Sequence, residues 1–405
     1  MVGNLKQIAR ALTLVAMGFL WALVAGPASA AEPVHAVMLR VDYPGLLPIS
    51  RLDLEPDDLG FAGAELATQD NQTTGAFLGL DFTLETAAAG VDTVEAEFSR
   101  LQAAGARVFV LDAGATEVAA LLSIAAPDTL ILNAGAPDVA LRSGACHRNL
   151  LHVAPSRAMQ ADAVLQFAVW KKWTDLFLIH GSHGRDHALA EAYRRSARKF
   201  GARIVEEREF EDTGGARRTD TGHVLVQRQI PVFTQRAEDH DLIIAADETD
   251  VFAAYLPFHI WDPAPVAGSA GLRPLSWHPA HEAWGATQFQ RRFEKMANRR
   301  MRAADYHAWL ALRVIGEAAS RTKSGDAMML RDYAMSDAFE LAAFKGQKVT
   351  FRAWNGQMRQ PILLSDGRIT VSVSPQDGFL HQRSPLDTLG LDAPESECTA
   401  FGNGG

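Results

Sequence analysis

The sequence predicts an α/β protein made of two lobes, each centred on a parallel β-sheet. The chain has 405 residues, and domains with a single core usually have about 50–200. Short apolar runs alternate with helix-length amphipathic runs, which is the pattern of βαβ units. This alternation runs from His35 to Gly135 and begins again at Asn149. The repeat indicates two lobes of similar design.

The first series of elements contains four expected strands and three expected helices. The strands are expected at 35–42, 76–85, 106–113 and 129–135, and the helices at 60–71, 93–104 and 117–125. The stretch "GFAGAELATQDNQTTGAFLG" lacks the G-x-G-x-x-G spacing and the lysine of nucleotide-binding loops. Its small residues instead predict a helix whose backbone lies close to the sheet, with Gly75 as the C-terminal stop.

The second series starts at Asn149, leads into a helix opened by Ser156, and then returns toward the first lobe. Strands are expected at 149–155, 174–181, 202–210 and 240–247, and a charged amphipathic helix at 185–200. The segment 263–272 reads as a crossover, helices follow at 281–296 and 305–321, and β-structure follows Val349 with a turn at Asp366-Gly367. Repeated crossings of this kind form a hinge and a cleft.

The N-terminus is typical of a cleavable secretory signal. Lys6 and Arg10 precede an apolar run, and Ala28-Ser29-Ala30 fits a cleavage site. A membrane anchor is the alternative, but the run is shorter than the ~20 residues that a span requires. The formal charge is −9, so no nucleic-acid partner is expected. We expect a periplasmic protein that meets the membrane only through another protein.

The two cysteines, Cys146 and Cys398, are an even number in an exported chain. An oxidising compartment permits one disulfide between them, which would attach the C-terminal tail to the middle of the chain. Two buried free thiols are the alternative.

Several stretches resemble a known family of receptors. "GFAGAELATQDNQTTGAFLG" resembles the first helix of type I periplasmic binding proteins, the branched-chain amino-acid receptors of ABC importers. The segment 343–398, "AFKGQKVTFRAWNG" and onward, is similar to the subfamily associated with PQQ-dependent alcohol dehydrogenase systems, as are 222–235 and 277–293. The resemblance implies two Rossmann-like lobes, a hinge of about three crossings and ligand capture for an ABC permease.

This family architecture gives expected lobe boundaries. Residues 1–30 are the signal peptide, 31–148 with 270–330 form the N-terminal lobe, 149–269 with 331–390 form the C-terminal lobe, and 391–405 form a tail. The resemblance alone also suggests uptake that serves the dehydrogenases, including their rare-earth metal.

Ligands of open parallel sheets bind beyond the carboxyl ends of the strands. That rule, together with Trp277 and His278 before the later helices, gives a list of expected ligand-binding residues. They are Asp42, Tyr43, Asp112, Gly114, Thr116, Asn133, Asp138, His180, His183, Asp186, Asp247, Glu248, Trp277 and His278. Asp42, Asp112, Asp247 and Glu248 are the candidates for a hard cation, which prefers carboxylate and carbonyl oxygens. The alternative for each aspartate is capping of the next helix.

The stretch "HGSHGRDH", residues 180–187, has histidines that suit zinc or copper, although loop histidines are often only solvated. No G-x-S-x-G motif is present, and we expect neither an enzyme nor a cofactor. The sequence therefore predicts a periplasmic solute-binding protein for a small organic solute or a cation, acting with an ABC permease. A ligand sensor and an accessory delivery protein for a PQQ dehydrogenase are the alternatives.

Overall fold

The computed structural model describes residues 31–44, 48, 53–212 and 226–402. The predicted signal peptide, 1–30, lies outside the described residues. Within the described ranges, no helix has both the length and the apolar character needed to cross a bilayer.

The first sheet has five parallel strands in the order β2-β1-β3-β4-β5. The strands are β1 (Glu32–Asp42), β2 (Leu80–Gly90), β3 (Val108–Asp112), β4 (Leu130–Asn133) and β5 (Leu150–His152). The helices of this part are α1 (Phe61–Leu78), α2 (Val94–Ala103) and α3 (Ala115–Ile124). The central strands β3 and β4 are apolar up to their last residues, Asp112 and Asn133, because helices cover both faces of the sheet.

Alternate residues of these strands enter two different hydrophobic cores. Met38 and Val110 pack with the helices on one face, whereas Val37 and Phe109 pack with α2 and α3 on the other. This period of two is the geometry that a pleated strand imposes.

The second sheet repeats the design with four parallel strands in the order β7-β6-β8-β9. The strands are β6 (Asp175–Gly181), β7 (Arg203–Phe210), β8 (Leu242–Ala246) and β9 (Val266–Gly268). The helices are α4 (Arg157–Trp170), α5 (Gly184–Phe200), α6 (Val226–Thr234) and the single turn α7 (Leu256–His259). The two parallel sheets confirm the predicted α/β fold class.

The rest of the chain adds helices to the first lobe and two small antiparallel sheets. These elements are β10 (Arg273–Leu275), α8 (Ala286–Ala297), α9 (Ala303–Thr322), α10 (Ala327–Ala334), β11 (Leu341–Ala342), β12 (Lys348–Phe351), β13 (Met358–Arg359), β14 (Ile362–Ser365) and β15 (Thr370–Ser374). The small sheets have the orders β10-β14-β15 and β11-β12-β13.

Helix α1 is longer than the sequence pattern indicated. It continues through Gly75 and Leu78 and ends at Gly79, whose φ of 71° lies in the left-handed region. The expected strand at 76–85 therefore begins only at Leu80. The close backbone approach is mainly to α9, because a Cβ on Gly63 would lie 1.9 Å from the carbonyl oxygen of Asp305.

Within the described residues, the chain passes between the two lobes four times. It leaves β5 for α4, returns from β9 through β10 to α8, crosses again between Met358 of the first core and Ile362 of the second, and returns in the C-terminal tail between Glu395 and Ser396. Two placements differ from the expected lobe boundaries, which assigned residues 149–269 and 331–390 to the C-terminal lobe. Strand β5 instead pairs with β4 in the first sheet, and residues such as Phe351 pack into the first core.

The C-terminal tail is fixed to the first lobe. Cys146 and Cys398 form a disulfide, as expected, and the described residues contain no free cysteine. Next to it, the Ser396 hydroxyl donates to the backbone oxygen of Arg142 at 3.0 Å.

Candidate functional site

The carboxyl ends of the two parallel sheets lie side by side, and Arg157 joins them. Arg157 is the first residue of α4, and its side chain is only 5% exposed. It donates to Asp138, which follows β4, at 2.6 Å and to both carboxylate oxygens of Glu248, which follows β8, at 2.7 Å. The bridge therefore connects the loops after one strand of each sheet, which places the predicted cleft at this edge.

Sequence reasoning missed Arg157. The available signal was a charged residue directly after the capping Ser156, at the start of a largely apolar helix. Most of α4 is buried, so an arginine there requires carboxylate partners. Its two partners were both on the predicted list, but nothing local in the sequence connects them with it.

On the first lobe, Tyr43 lies against the N-terminus of α3. Its hydroxyl donates to Glu117 Oε2 at 2.5 Å and accepts from the Gly114 backbone nitrogen at 2.6 Å. The N-cap residue Gly114 provides no side-chain cap to the helix, and Thr116 is in its first turn. A helix N-terminus of this kind offers backbone N–H groups and a positive dipole to an anion.

Asp112, at the end of β3, is an acid in a desolvated position. Burial raises the pKa of its carboxyl to about 6, nearby Arg40 opposes the rise, and Glu55, Asp305 and Asp42 add to it. The loop after β4 is packed closely against it, since a Cβ on Gly135 would lie 2.7 Å from Asp112 Oδ1. Asp112 therefore carries a negative charge only at a cost in free energy.

This cost predicts a pH-dependent effect of Asp112→Asn. Because the folded-state pKa is raised above the unfolded value of ~3.9, the carboxyl destabilises the fold as pH rises from about 4 through 6, and this penalty persists above that range. The variant is expected to be more stable than the wild type by about 1–3 kcal/mol at pH 8, since one pKa unit corresponds to ~1.36 kcal/mol.

Urea midpoints measured between pH 4 and pH 8 test this expectation, and the gain should vanish near pH 4. Asp128→Asn is the matched control, because Asp128 is an exposed carboxylate of the same lobe. Equal effects of the two variants at pH 8 would contradict the assigned cause.

The predicted cation cage is not assembled. Asp42 pairs with Arg40 at 2.8 Å, and Glu248 is held by Arg157. Asp247 accepts from the backbone nitrogens of Val251, Phe252 and Ala253 at 2.7–3.0 Å, which is a capping role. Asp42, Asp112, Asp247 and Glu248 do not gather into a metal-ligating group among the described residues.

Two other expected ligand-binding residues have structural roles. Asp186 accepts from the backbone nitrogens of Glu248 and Thr249 at 2.7 and 3.1 Å, and so fixes the loop after β8. Asn133 is fully buried and holds the loop after β4, since its amide accepts from the Ala136 nitrogen and donates to the Ala136 oxygen, both at 2.8 Å.

Trp277 has a structural role in the first core. It is buried there, stacks on Tyr306 with ring centroids 5.0 Å apart and donates to Gln290 at 3.0 Å. His278 is partly buried and accepts from the Ala280 nitrogen in the adjacent turn. Ligand contact by these two residues stays a prediction.

The remaining expected residues, His180 and His183, lie at the second lobe's edge beside the cleft. His183 contacts Asp212 at 2.8 Å. A separate apolar cavity of about 490 Å³ is lined by Phe167, Trp170 and Trp173 together with Leu242 and Val266. It lies by the amino ends of β8 and β9, away from the cleft.

No protein-family model matches the chain, and no curated protein matches its sequence. Solved structures match its fold. A branched-chain amino acid ABC transporter periplasmic ligand-binding protein from Burkholderia xenovorans gives a TM-score of 0.66 at 14% identity, covering 90% of this chain and 99% of that chain. A periplasmic binding protein from Burkholderia mallei gives 0.65 at 13% identity, covering 91% and 99%.

A third similar structure is the leucine-, isoleucine-, valine-, threonine- and alanine-binding protein from Brucella ovis in its closed conformation. It gives a TM-score of 0.63 at 14% identity, covering 82% of this chain and 89% of that chain. The comparisons confirm the predicted two-lobe fold, and at such identities they establish the fold alone.

Proposed function

We propose that this chain, which has the type I periplasmic binding fold, is the solute receptor of an ABC importer in the periplasm. It captures a small ligand between its lobes, and a hinge motion closes the lobes around that ligand. The observation that carries this proposal is the Asp138–Arg157–Glu248 bridge, which sets the ligand-binding edges of two parallel sheets against each other. Closure would give the permease a distinct surface to recognise.

The chemistry at this edge favours a small zwitterion of the amino-acid class. The N-terminus of α3 is suited to a carboxylate, because its first backbone N–H groups have no side-chain cap at Gly114. The carboxylate of Asp138, which is 31% exposed and contacts Arg157 through Oδ1, is suited to an ammonium group. The similar structure from Brucella ovis is named for binding amino acids, which agrees with this assignment.

A hard cation, including a rare-earth ion, has less support as the ligand. Such ions take six to eight oxygen ligands, whereas Asp42, Asp247 and Glu248 already have arginine or backbone partners. Freeing these oxygens would remove ion pairs and a helix cap. The ammonium group of an organic solute needs only one such carboxylate and therefore displaces fewer of these contacts.

The transport context that we propose is a PQQ-dependent alcohol dehydrogenase system. This part of the proposal rests on the resemblance of residues 343–398, 222–235 and 277–293 to that subfamily. Permease and ATPase genes beside the gene for this chain would support transport. A neighbouring regulator alone would support a ligand sensor, and binding of the purified dehydrogenase would support an accessory delivery protein.

Thermal-shift screening followed by titration calorimetry tests the ligand class. The screen includes amino acids, carboxylic acids, alcohols, Ca²⁺ and lanthanides. A ligand at 100 times its Kd should add about 2.7 kcal/mol of stability. A shift with an amino acid and none with lanthanides is expected, and the reverse result would refute the zwitterion assignment.

The variant Tyr43→Phe tests whether the ligand binds beside the N-terminus of α3. Loss of the hydroxyl that contacts Glu117 and the Gly114 nitrogen is expected to weaken binding about 2–10-fold, the effect of one hydrogen bond. Tyr333→Phe is the matched control, because the Tyr333 hydroxyl donates to the Ala338 oxygen at the surface. Unchanged affinity in Tyr43→Phe would place the ligand elsewhere.

A further inference from the structure

We propose that His180, His187 and Glu209 form a transition-metal site that takes Zn²⁺, at the carboxyl edge of the second sheet. The site goes beyond the proposed solute-binding function, because none of these three side chains belongs to the Arg157 bridge. The residues come from β6, the first turns of α5, and β7, so three separate elements bring them together.

The geometry fits a single small ion. One ligand atom from each residue lies within 4.8 Å of the others, and among the described residues this is the one group of three or more histidine or carboxylate side chains so close. His187 Nε2 lies 3.8 Å from Glu209 Oε2. In a tetrahedral zinc site with Zn–N distances of ~2.0–2.1 Å, ligand atoms are roughly 3.3 Å apart. Small side-chain rotations would close the remaining gap.

His180 already has the orientation of a metal ligand. Its Nδ1 lies 2.9 Å from the backbone oxygen of Gly181, which can only accept, so Nδ1 carries the proton. Nε2 is then the ring nitrogen that is available to a metal ion. Metal-bound histidines usually donate their other ring N–H to a carbonyl or carboxylate oxygen in this way.

Glu207 is a competing partner of His180. His180 Nε2 lies 3.3 Å from Glu207 Oε1, so these two side chains can pair in the absence of a metal ion. The experiment must therefore separate metal binding from this pairing.

The charges around the cluster suit a divalent ion with one open position. Arg194 neutralises Glu207 through contacts of 2.5–3.3 Å, which leaves Glu209 as the free carboxylate ligand. Two imidazoles and one carboxylate leave a fourth position for water in a tetrahedral site. This donor set favours Zn²⁺, Co²⁺, Ni²⁺ or Cu²⁺ over Ca²⁺ and lanthanides, which prefer oxygen.

Exposure of the cluster allows an ion to enter from solvent. His180 is buried with 7% of its side chain exposed, whereas His187 and Glu209 are about half exposed. A buried, fixed ligand beside two accessible ones gives both pre-organisation and access. It also means that the two exposed ligands can be replaced with little risk to folding.

The test is metal titration of the exported protein, made without a polyhistidine tag and stripped with a chelator. Zn²⁺ is followed by calorimetry, and Co²⁺ by the visible absorption of a tetrahedral complex. We expect one equivalent to bind. His187→Ala and Glu209→Gln should each weaken Zn²⁺ binding by roughly 100-fold or more. Replacing a residue that only hydrogen-bonds to a metal ligand already costs about 10–100-fold.

His35→Ala is the matched control, because His35 is an exposed histidine 3.9 Å from Glu85 on the other lobe. It should leave the affinity unchanged. Absence of a one-equivalent Zn²⁺ site, or equal affinity in the wild type, His187→Ala and Glu209→Gln, would overturn the proposal and leave His180 as an ion-pair partner of Glu207. Amino-acid binding is measured separately, so failure of either proposal is distinguishable from failure of the other.

Discussion

Replacement of Arg157 by alanine is expected to lower the free energy of unfolding by about 3–5 kcal/mol, the cost of breaking a buried ion pair by removing one partner. The side chain is buried and binds Asp138 and Glu248, so the variant removes the short ion pairs of both carboxylates and leaves Glu248 with the longer 3.7 Å contact to the exposed Arg185. Because Asp138 is itself 31% exposed, water can compensate for part of this loss. The expected value is therefore near the lower end.

Denaturant midpoints and thermal unfolding measure this effect. Arg321→Ala is the matched control, since Arg321 forms an exposed ion pair with Glu317 one helical turn away and should change stability by less than about 0.5 kcal/mol. Equal losses in the two variants would show that the bridge is not structurally important.

A variant of the partner residue Glu248 separates the stability due to the ion pair from the stability due to side-chain packing. Glu248→Gln keeps the shape of the side chain and removes its charge, so the double variant with Arg157→Ala completes a mutant cycle. A coupling energy above about 1 kcal/mol is expected for residues in one network. Scattering profiles of the free variants would also show whether the bridge holds the lobes at a fixed angle.

Removal of the Cys146–Cys398 disulfide is the second large effect that we expect. The bond closes a loop with a sequence separation of 252 residues. Loops of this size give the largest entropic stabilisation in the chain-entropy model, and measured losses are typically 2–5 kcal/mol. The double substitution of both cysteines by serine should therefore lower the free energy of unfolding by about 2–5 kcal/mol.

The tail offers a way to see where this stability is lost. Glu395 contacts Arg195 at 2.8 Å in the second lobe, whereas Ser396 and the disulfide attach to the first. Hydrogen exchange near residues 396–402 should accelerate in the double-serine variant. Wild-type protein treated with a reductant is the control, and an unchanged urea midpoint in both samples would contradict the expected stabilisation.

The predicted site residues show what a local sequence pattern can predict about a site and what it cannot. The rule that ligands bind beyond strand ends correctly places Asp112, Gly114, Asp138 and Glu248 at the edges of the two sheets. It does not distinguish a free carboxylate from an occupied one. Asp247 follows β8 as expected, but its oxygens are used by the next three-residue turn, which is a contact that any aspartate at that position can make.

The sequence by itself determined the two α/β lobes and the parallel sheets, and it permitted a disulfide between the two cysteines. Strand and helix periodicity are local properties, and each residue's neighbours along the chain determine which face is apolar. This is why β1, β3 and β6 lie close to their expected positions. The end of α1 was mispredicted for a local reason as well. Gly75 could either end the helix or allow Phe82 to pack closely against it.

Only the tertiary structure decided which charged groups meet. Arg157 and Glu248 are separated by 91 positions, and His180, His187 and Glu209 come from three elements. Their contacts depend on the order of strands in a sheet and on how the two lobes face each other, and neither is encoded in the spacing of residues along one segment. An ion pair or a metal site is a property of distance in space, so it becomes visible only after the sheets are assembled.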